Sequence, residues 1–232
     1  QGISAEMIAD KWDISRTELD ELGVRSHARA LQATEEGRFE REMVPMTVGD
    51  ETYMTDQGIR PGTSVETLAG LKPAFKEDGK ITAGNASQVS DGAAAVMLMS
   101  REKADELGLK ARARIVDTTT VGVDPVIMLT GPIPATRKIL ERNSMGIGDV
   151  DLVEINEAFA SVVLAWEKEL KPDMDRVNVN GGAIAIGHPL GSTGARLMTS
   201  LLHEMERDDK EMGLVTMCCG GGVGTATLIE RV

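Results

Sequence analysis

Three short stretches in the second half of the chain carry residue types able to act as acid, base or nucleophile. His188 lies in GGAIAIGHPLGSTGAR (181–196), between Gly187 and Pro189. Proline fixes the backbone on one side and glycine removes the side chain on the other, so a ligand can approach the imidazole closely. The alternative is a structural turn histidine. Cys218 and Cys219 follow an apolar run and precede Gly220, Gly221 and Gly222. A cysteine at a strand end is ordinarily a small buried hydrophobe, but three glycines after it leave room for a ligand or free backbone N–H groups. Asn156 and Glu157 stand at a strand-to-helix turn, where they either cap the helix, Asn being a favoured N-cap, or serve a site. His27 and His203 sit at helical positions beside charged residues and read as solvated faces.

The elements that must carry these residues follow from periodicity. Ile3, Met7, Ile8 and Trp12 recur at helical spacing, and Ser15 with Glu18 forms a capping box that opens a second helix. Residues 41–82, punctuated by Pro45, Gly49, Gly58, Pro61, Gly62, Pro73 and Gly79, read as a loop-rich unit. The run DGAAAVMLMS (91–100) has the pattern of a buried central strand. After it come a helix over 101–109, a strand over 113–120, a proline-rich loop, a helix over 135–143 and a strand over 151–155. A helix over 157–170, burying Phe159, Val163, Trp166 and Leu170, leads to the glycine-rich loop, a helix over 193–207, and strands over 214–217 and 224–230. This alternation predicts an α/β layered architecture.

Composition removes several classes of function. With 232 residues, 41% apolar and 27% charged, the chain is long enough for one large α/β domain and part of a second unit, and is neither disordered nor fibrous. A net charge of −12 and only six aromatic residues argue against nucleic-acid binding, which needs basic patches and stacking platforms. The longest apolar run, 159–166 apart from Ser161, is well short of the ~20 residues that span a bilayer. Adjacent cysteines have Cα atoms only about 3.8 Å apart, below the usual disulfide range, so both read as thiols in a reducing compartment. The glycine-rich loop lacks the Lys-Ser/Thr ending of a P-loop and the G-x-G-x-x-G spacing, which leaves nucleotide binding weakly supported. Gln1 falls in a helix-like stretch with no basic n-region, which reads as an unnatural start without a signal peptide.

In this order and spacing, NEAFA (156–160), GGAIAIGHPLGSTGAR (181–196) and CCGGGVG (218–224) resemble the C-terminal signatures of the thiolases, enzymes that make or cleave 3-ketoacyl-CoA. The stretch ITAGNASQVSDGAAA (81–95) is similar to a further thiolase segment. The resemblance implies a thiolase fold of class α/β: a loop-domain portion over 1–90, the end of the N-terminal domain over 91–110, and the layered C-terminal domain over 111–232. It implies that His188 activates a nucleophilic cysteine and helps form a first oxyanion hole, and that Asn156 holds the water completing that hole. Cys218 matches the acid/base cysteine, Cys219 a position that need not be cysteine, and the Gly220 N–H a second oxyanion hole. Ala83, Ser87, Ala158 and Phe159 match contacts to the pantetheine of coenzyme A, and Arg60 a nucleotide-side contact. No metal and no permanently bound cofactor are implied; coenzyme A and acyl-CoA are substrates. A homodimer or homotetramer is implied.

One departure is large. The thiolase nucleophile is a cysteine far upstream, matched by neither Cys218 nor Cys219, and the family's first pantetheine-side His–Met pair is missing too. The expectation is therefore the C-terminal portion of a 3-ketoacyl-CoA thiolase, inactive alone and completed by an N-terminal half or a partner chain carrying the nucleophile. A non-catalytic thiolase-fold subunit or binding module is the alternative. Cys218 would act as base at the thioester α-carbon, with N–H groups of the glycine run expected to lower its pKa. Leu129, in MLTGP where many thiolases carry MGxGP, hints at a bulky or degradative substrate. The ending Glu-Arg-Val is no peroxisomal Ser-Lys-Leu signal, which favours a cytoplasmic enzyme. The apolar face of 91–99 is expected to stand uncovered and promote association.

Overall fold

The capping signal at Ser15 opens the longest helix. In the computed structural model, which describes residues 1–232, Ser15 Oγ accepts from the Glu18 N–H at 3.2 Å and Glu18 Oε2 accepts from the Ser15 N–H at 2.7 Å. This reciprocal cap, of the kind that contributes about 1 kcal/mol, starts α2 (Arg16–Glu35) just after α1 (Gly2–Lys11). The loop-rich stretch contains an exposed hairpin, β1 (Met46–Val48) with β2 (Glu51–Tyr53), and a short helix, α3 (Val65–Ala69). No helix is long and apolar enough to cross a membrane.

From α4 (Arg101–Glu106) onward the chain builds one sheet. Its strands are β3 (Ala113–Gly122), β4 (Leu152–Ile155), β5 (Met212–Cys219) and β6 (Val223–Arg231), in spatial order β3-β6-β5-β4. β4 and β5 are parallel, with Ile155 opposite Thr216; the other pairs are antiparallel. Between the strands lie α5 (Pro132–Arg142), α6 (Ala160–Leu170), the one-turn α7 (Ala183–Ile186) and α8 (Thr193–Arg207). α5 begins at Pro132, a residue suited to a first helical position.

Strand alternation decides which helix covers which face. Val153, Ile155, Leu214, Cys218, Ala226 and Leu228 join the larger core with α5, α6 and α1. Leu152, Val215 and Ile229 face the other way, onto Leu197, Leu201 and Met205 of α8. Trp166 is fully buried and its Nε1–H donates to Thr136 Oγ1 at 3.0 Å, so the largest core side chain leaves no polar atom unpaired. Where α5 begins, backbone meets backbone: a Cβ built on Gly131 would lie 2.5 Å from Gly224 Cα, and one built on Gly224 would lie 2.5 Å from Gly131 Cα. Gly224 is the residue opposite Cys218, so this close approach brings the start of α5 beside the cysteine.

The structure corrects four expectations. Residues 91–100 form no strand; they are exposed throughout and pair with nothing, because a strand exists only where a neighbouring backbone takes up its N–H and C=O groups. The helix expected from residue 157 starts at Ala160; Phe159 holds the N-cap position, so Asn156 and Glu157 do not cap it. His27 and His203 are buried, not solvated. His27 Nδ1 accepts the Arg60 N–H at 3.2 Å, and His203 Nδ1 donates to Thr199 O at 2.8 Å. Arg60 lies 33 residues from His27, and Glu42 Oε2 stands 3.4 Å from His203 Nδ1, so in both cases a chain segment remote from the helical pattern meets the ring, and local spacing cannot register that.

Candidate active site

Parallel pairing puts the C-terminal ends of β4 and β5 at one edge of the sheet, the edge where open α/β sheets bind ligands. The ladder runs one step past β4: the Asn156 N–H donates to Thr216 O at 3.0 Å. Asn156 is fully buried, its Nδ2 lies 3.2 Å from His188 Nε2, and its Oδ1 has no hydrogen-bond partner in the protein. An unpartnered buried acceptor is costly, so this oxygen is suited to a donor supplied by solvent or ligand.

His188 is half-buried and held from three sides. Its backbone N–H donates to Gln88 O at 3.2 Å, Nδ1 lies 2.6 Å from Thr193 Oγ1, and Nε2 meets Asn156. Gly187 takes φ +90°, a conformation that strains any side-chain-bearing residue, and a Cβ there would strike Ser90. Burial, and then the positive charge of Arg196, hold the imidazole below its ordinary pKa, so it rests neutral at pH 7 and able to accept a proton.

Cys218 and Cys219 are free thiols on opposite faces of β5. Cys218 is buried in the larger core and Cys219 is partly exposed. The expected lowering of the Cys218 pKa is overturned: burial, reinforced by the neighbouring Cys219, pushes it up to about 12, and a backbone hydrogen bond offsets only part of this. The glycine run turns away as the 220–222 hairpin, with Gly220 exposed. Desolvation of the thiolate therefore outweighs the nearby N–H dipoles.

The segment 81–90 threads this edge. Ala160 N–H donates to Asn85 O at 2.8 Å, Ala86 bridges Phe159, the Ser87 N–H donates to Ala158 O at 3.1 Å, and Gln88 O receives His188. Ser87, Ala158 and Phe159 are thus brought together beside the histidine. Ala83 lies on the surface, whereas Arg60 is exposed and is held through its backbone, its N–H by His27 and its carbonyl by the Thr63 hydroxyl. The Phe159 ring is fixed edge-on to Phe75, centroids 5.9 Å apart.

Two supporting residues have no local signature. Gln88 Nε2 donates to Gly58 O at 2.9 Å and Ile184 O at 2.8 Å, tying the threaded segment to the loop region and α7. Glu157 is a buried junction: Oε2 accepts from Ser26 Oγ at 2.6 Å and from the Ile184 N–H at 3.2 Å, and Oε1 from Asn178 Nδ2 at 3.0 Å. Its partners lie up to 131 residues away, so spacing around 157 could not reveal the role.

The sequence and the fold both have known relatives. The model of the thiolase C-terminal domain matches residues 109–231 and that of the thiolase N-terminal domain residues 1–102. The chain belongs to the thiolase family and has the thiolase fold. It is 51% identical to an acetyl-CoA acetyltransferase of Syntrophomonas wolfei over 100% of this chain and 60% of the relative. It is 50% identical to a steroid 3-ketoacyl-CoA thiolase of Mycobacterium tuberculosis over 98% of this chain and 56% of the relative. A crystal structure of the Bacillus anthracis acetyl-CoA acetyltransferase superposes with a TM-score of 0.96 at 48% identity, covering 100% of this chain and 60% of that one. Human mitochondrial 3-ketoacyl-CoA thiolase in complex with CoA gives 0.93 at 41% identity, with 99% and 58% covered. The chain therefore spans about 60% of the length of the relatives it matches.

Proposed function

We propose that this chain supplies the acid/base half of a 3-ketoacyl-CoA thiolase site, acting in thiolytic cleavage to acetyl-CoA and a shortened acyl-CoA or in the reverse Claisen condensation. The observation that carries the reading is the contact of His188 Nε2 with Asn156 Nδ2 at 3.2 Å, at the same sheet edge that Cys218 reaches from β5. In this reading His188, neutral at rest, takes the proton of a nucleophilic cysteine that lies outside these 232 residues, in an N-terminal half or a partner chain. Asn156 and His188 then direct donors at the developing enolate oxygen, Asn156 through a water on its free Oδ1. Cys218, pushed up to about 12 by burial and so protonated at neutral pH, gives its proton to the departing acetyl carbanion in cleavage; in condensation the reverse step starts from the thiolate, which removes a proton from acetyl-CoA and becomes the thiol. The Gly220 N–H serves the acyl carbonyl. Ala83, Ser87, Ala158 and Phe159 line the pantetheine path, and Arg60 attends the nucleotide. The reading carries with it the division at 1–90, 91–110 and 111–232, a homodimeric or homotetrameric assembly, and a cytoplasmic setting.

The test joins the part of the Syntrophomonas wolfei relative that precedes the matched region to Gln1, and measures cleavage of acetoacetyl-CoA. The chimera is expected to turn over and the 232-residue chain to be inert. Cys218→Ser should lower turnover by about 10²–10⁴-fold while the acyl-enzyme still forms; Cys219→Ala should stay within a few-fold of the parent. A chimera that melts cooperatively yet neither acylates nor cleaves would favour the non-catalytic subunit. A dead Cys219→Ala beside an active Cys218→Ser would move the acid/base role to the other face of β5.

A further inference from the structure

One of the three holds on His188 comes from a residue with no role in the reading above. Thr193 is the first residue of α8 and is fully buried. Its Oγ1 lies 2.8 Å from Pro189 O and 2.6 Å from His188 Nδ1. A hydroxyl has one hydrogen, and a carbonyl oxygen only accepts. With that hydrogen on Pro189 O, the hydroxyl presents a lone pair to Nδ1, and Nδ1 must be the donor. Across the ring, Asn156 turns its Nδ2 toward Nε2 at 3.2 Å, and an amide nitrogen only donates. Both contacts are met together when the ring hydrogen is on Nδ1. With the hydrogen on Nε2, two donors would face each other at Asn156.

We propose that Thr193 is a positioning residue that locks His188 in the Nδ1–H tautomer, so that Nε2 carries no hydrogen and its lone pair, resting against the Asn156 amide, takes up the nucleophile's proton once that contact gives way. The inference rests on the reading of His188 as the base and goes further by naming what sets its proton. A base must present a bare nitrogen to the group it deprotonates; the same imidazole in the other tautomer, equally neutral and equally well placed, would present a hydrogen instead. The α8 start therefore acts on the chemistry through the position of one hydrogen atom. Pro189 contributes by fixing the carbonyl that claims the Thr193 hydrogen.

The chain holds three histidines, which makes a spectroscopic test direct. Long-range proton–nitrogen correlation on the ¹⁵N-labelled chain distinguishes a protonated from a bare ring nitrogen at each imidazole. His188 is expected to show hydrogen on Nδ1 and a bare Nε2. Thr193→Val, which removes the acceptor, should shift His188 toward the Nε2–H form; Thr193→Ser should restore the wild-type pattern. His27 and His203 serve as internal references, since unchanged signals there show that the fold is intact. In the chimera, Thr193→Val should slow acylation about 10²-fold with little change in KM, and Thr193→Ser should recover it. A wild-type His188 protonated on Nε2, or a folded Thr193→Val that keeps the wild-type pattern, would overturn the proposal. The tautomer is read without turnover, so an inactive chimera would count against the thiolase reading and leave this measurement to decide the role of Thr193.

Discussion

Residues 212–219 pair with β6 along their whole length and with β4 over 213–216, whereas residues 91–99, also rich in apolar side chains, run along the surface with no strand beside them. Leu214 is 0% exposed; Leu98 is 69% exposed and Met97 78%. The difference teaches that an apolar run becomes a strand through its neighbours. β5 finds β4 and β6 within the chain, and its two faces are roofed by α5 with α6 and by α8. The run 91–99 finds neither a ladder partner nor a roof.

Hydrogen exchange should show the widest gap between the two. Amides of 213–218 open only with the sheet, and at a global stability of about 5 kcal/mol or more they should exchange on the order of 10³-fold or more slower than free peptide. Amides of 92–99 should exchange at nearly the free rate. Protection there would break the contrast and reveal pairing with a second molecule. Next in size, Leu214→Ala should cost about 3–5 kcal/mol in urea unfolding, in line with buried Leu→Ala changes, against about 0.5 kcal/mol or less for Leu98→Ala. A comparable loss at both positions would mean that the open segment is packed in solution.

The smallest effect is on pH. His27, His188 and His203 all lie in the packed region, and burial holds each below its ordinary pKa. The unfolded chain then binds more protons near and just below pH 6.5, so this contribution is complete above about 6.5 and is lost as pH falls through the folded values. Glu154 acts with the opposite sign. Burial raises it to about 8 despite the pull of Arg196, so its contribution is full below the ordinary carboxyl range and lost as pH rises through about 8. Urea midpoints across this range should respond to His203→Gln on the acid side and to Glu154→Gln on the alkaline side, with exchange at 92–99 unmoved. Acid-side behaviour unaltered in His203→Gln would show that this imidazole is not the buried neutral group described.

Local signals carried the elements that local forces decide. The capping box at Ser15 and Glu18, the strand expected over 113–120 and found over Ala113–Gly122, and the helix from Thr193 to Arg207 are legible in the sequence because local residues specify them. Where a residue answers to a distant partner, the sequence misleads. Asn156 is a good N-cap type, yet its side chain serves His188; Glu157 answers to Ser26 and Asn178. The glycine run suggested a stabilised thiolate, but the depth of Cys218 is set by α5 and by β6, which the cysteine's neighbours do not encode. The motifs themselves contain His188, Asn156 and the 81–88 segment, whereas the hydrogen bonds of Gln88 and Thr193 join side chains to backbone and ring atoms that only the fold brings together.

The contact of Gly131 with Gly224 has a genetic consequence. Each residue blocks any side chain at the other, and each is already as small as an amino acid can be. Most core substitutions can be relieved by trimming the neighbour they crowd. Here no trimming remains, so an alanine at either position has no suppressor at its partner. A search for second-site revertants of Gly224→Ala should return true reversions, or changes that shift the whole start of α5, and none at residue 131.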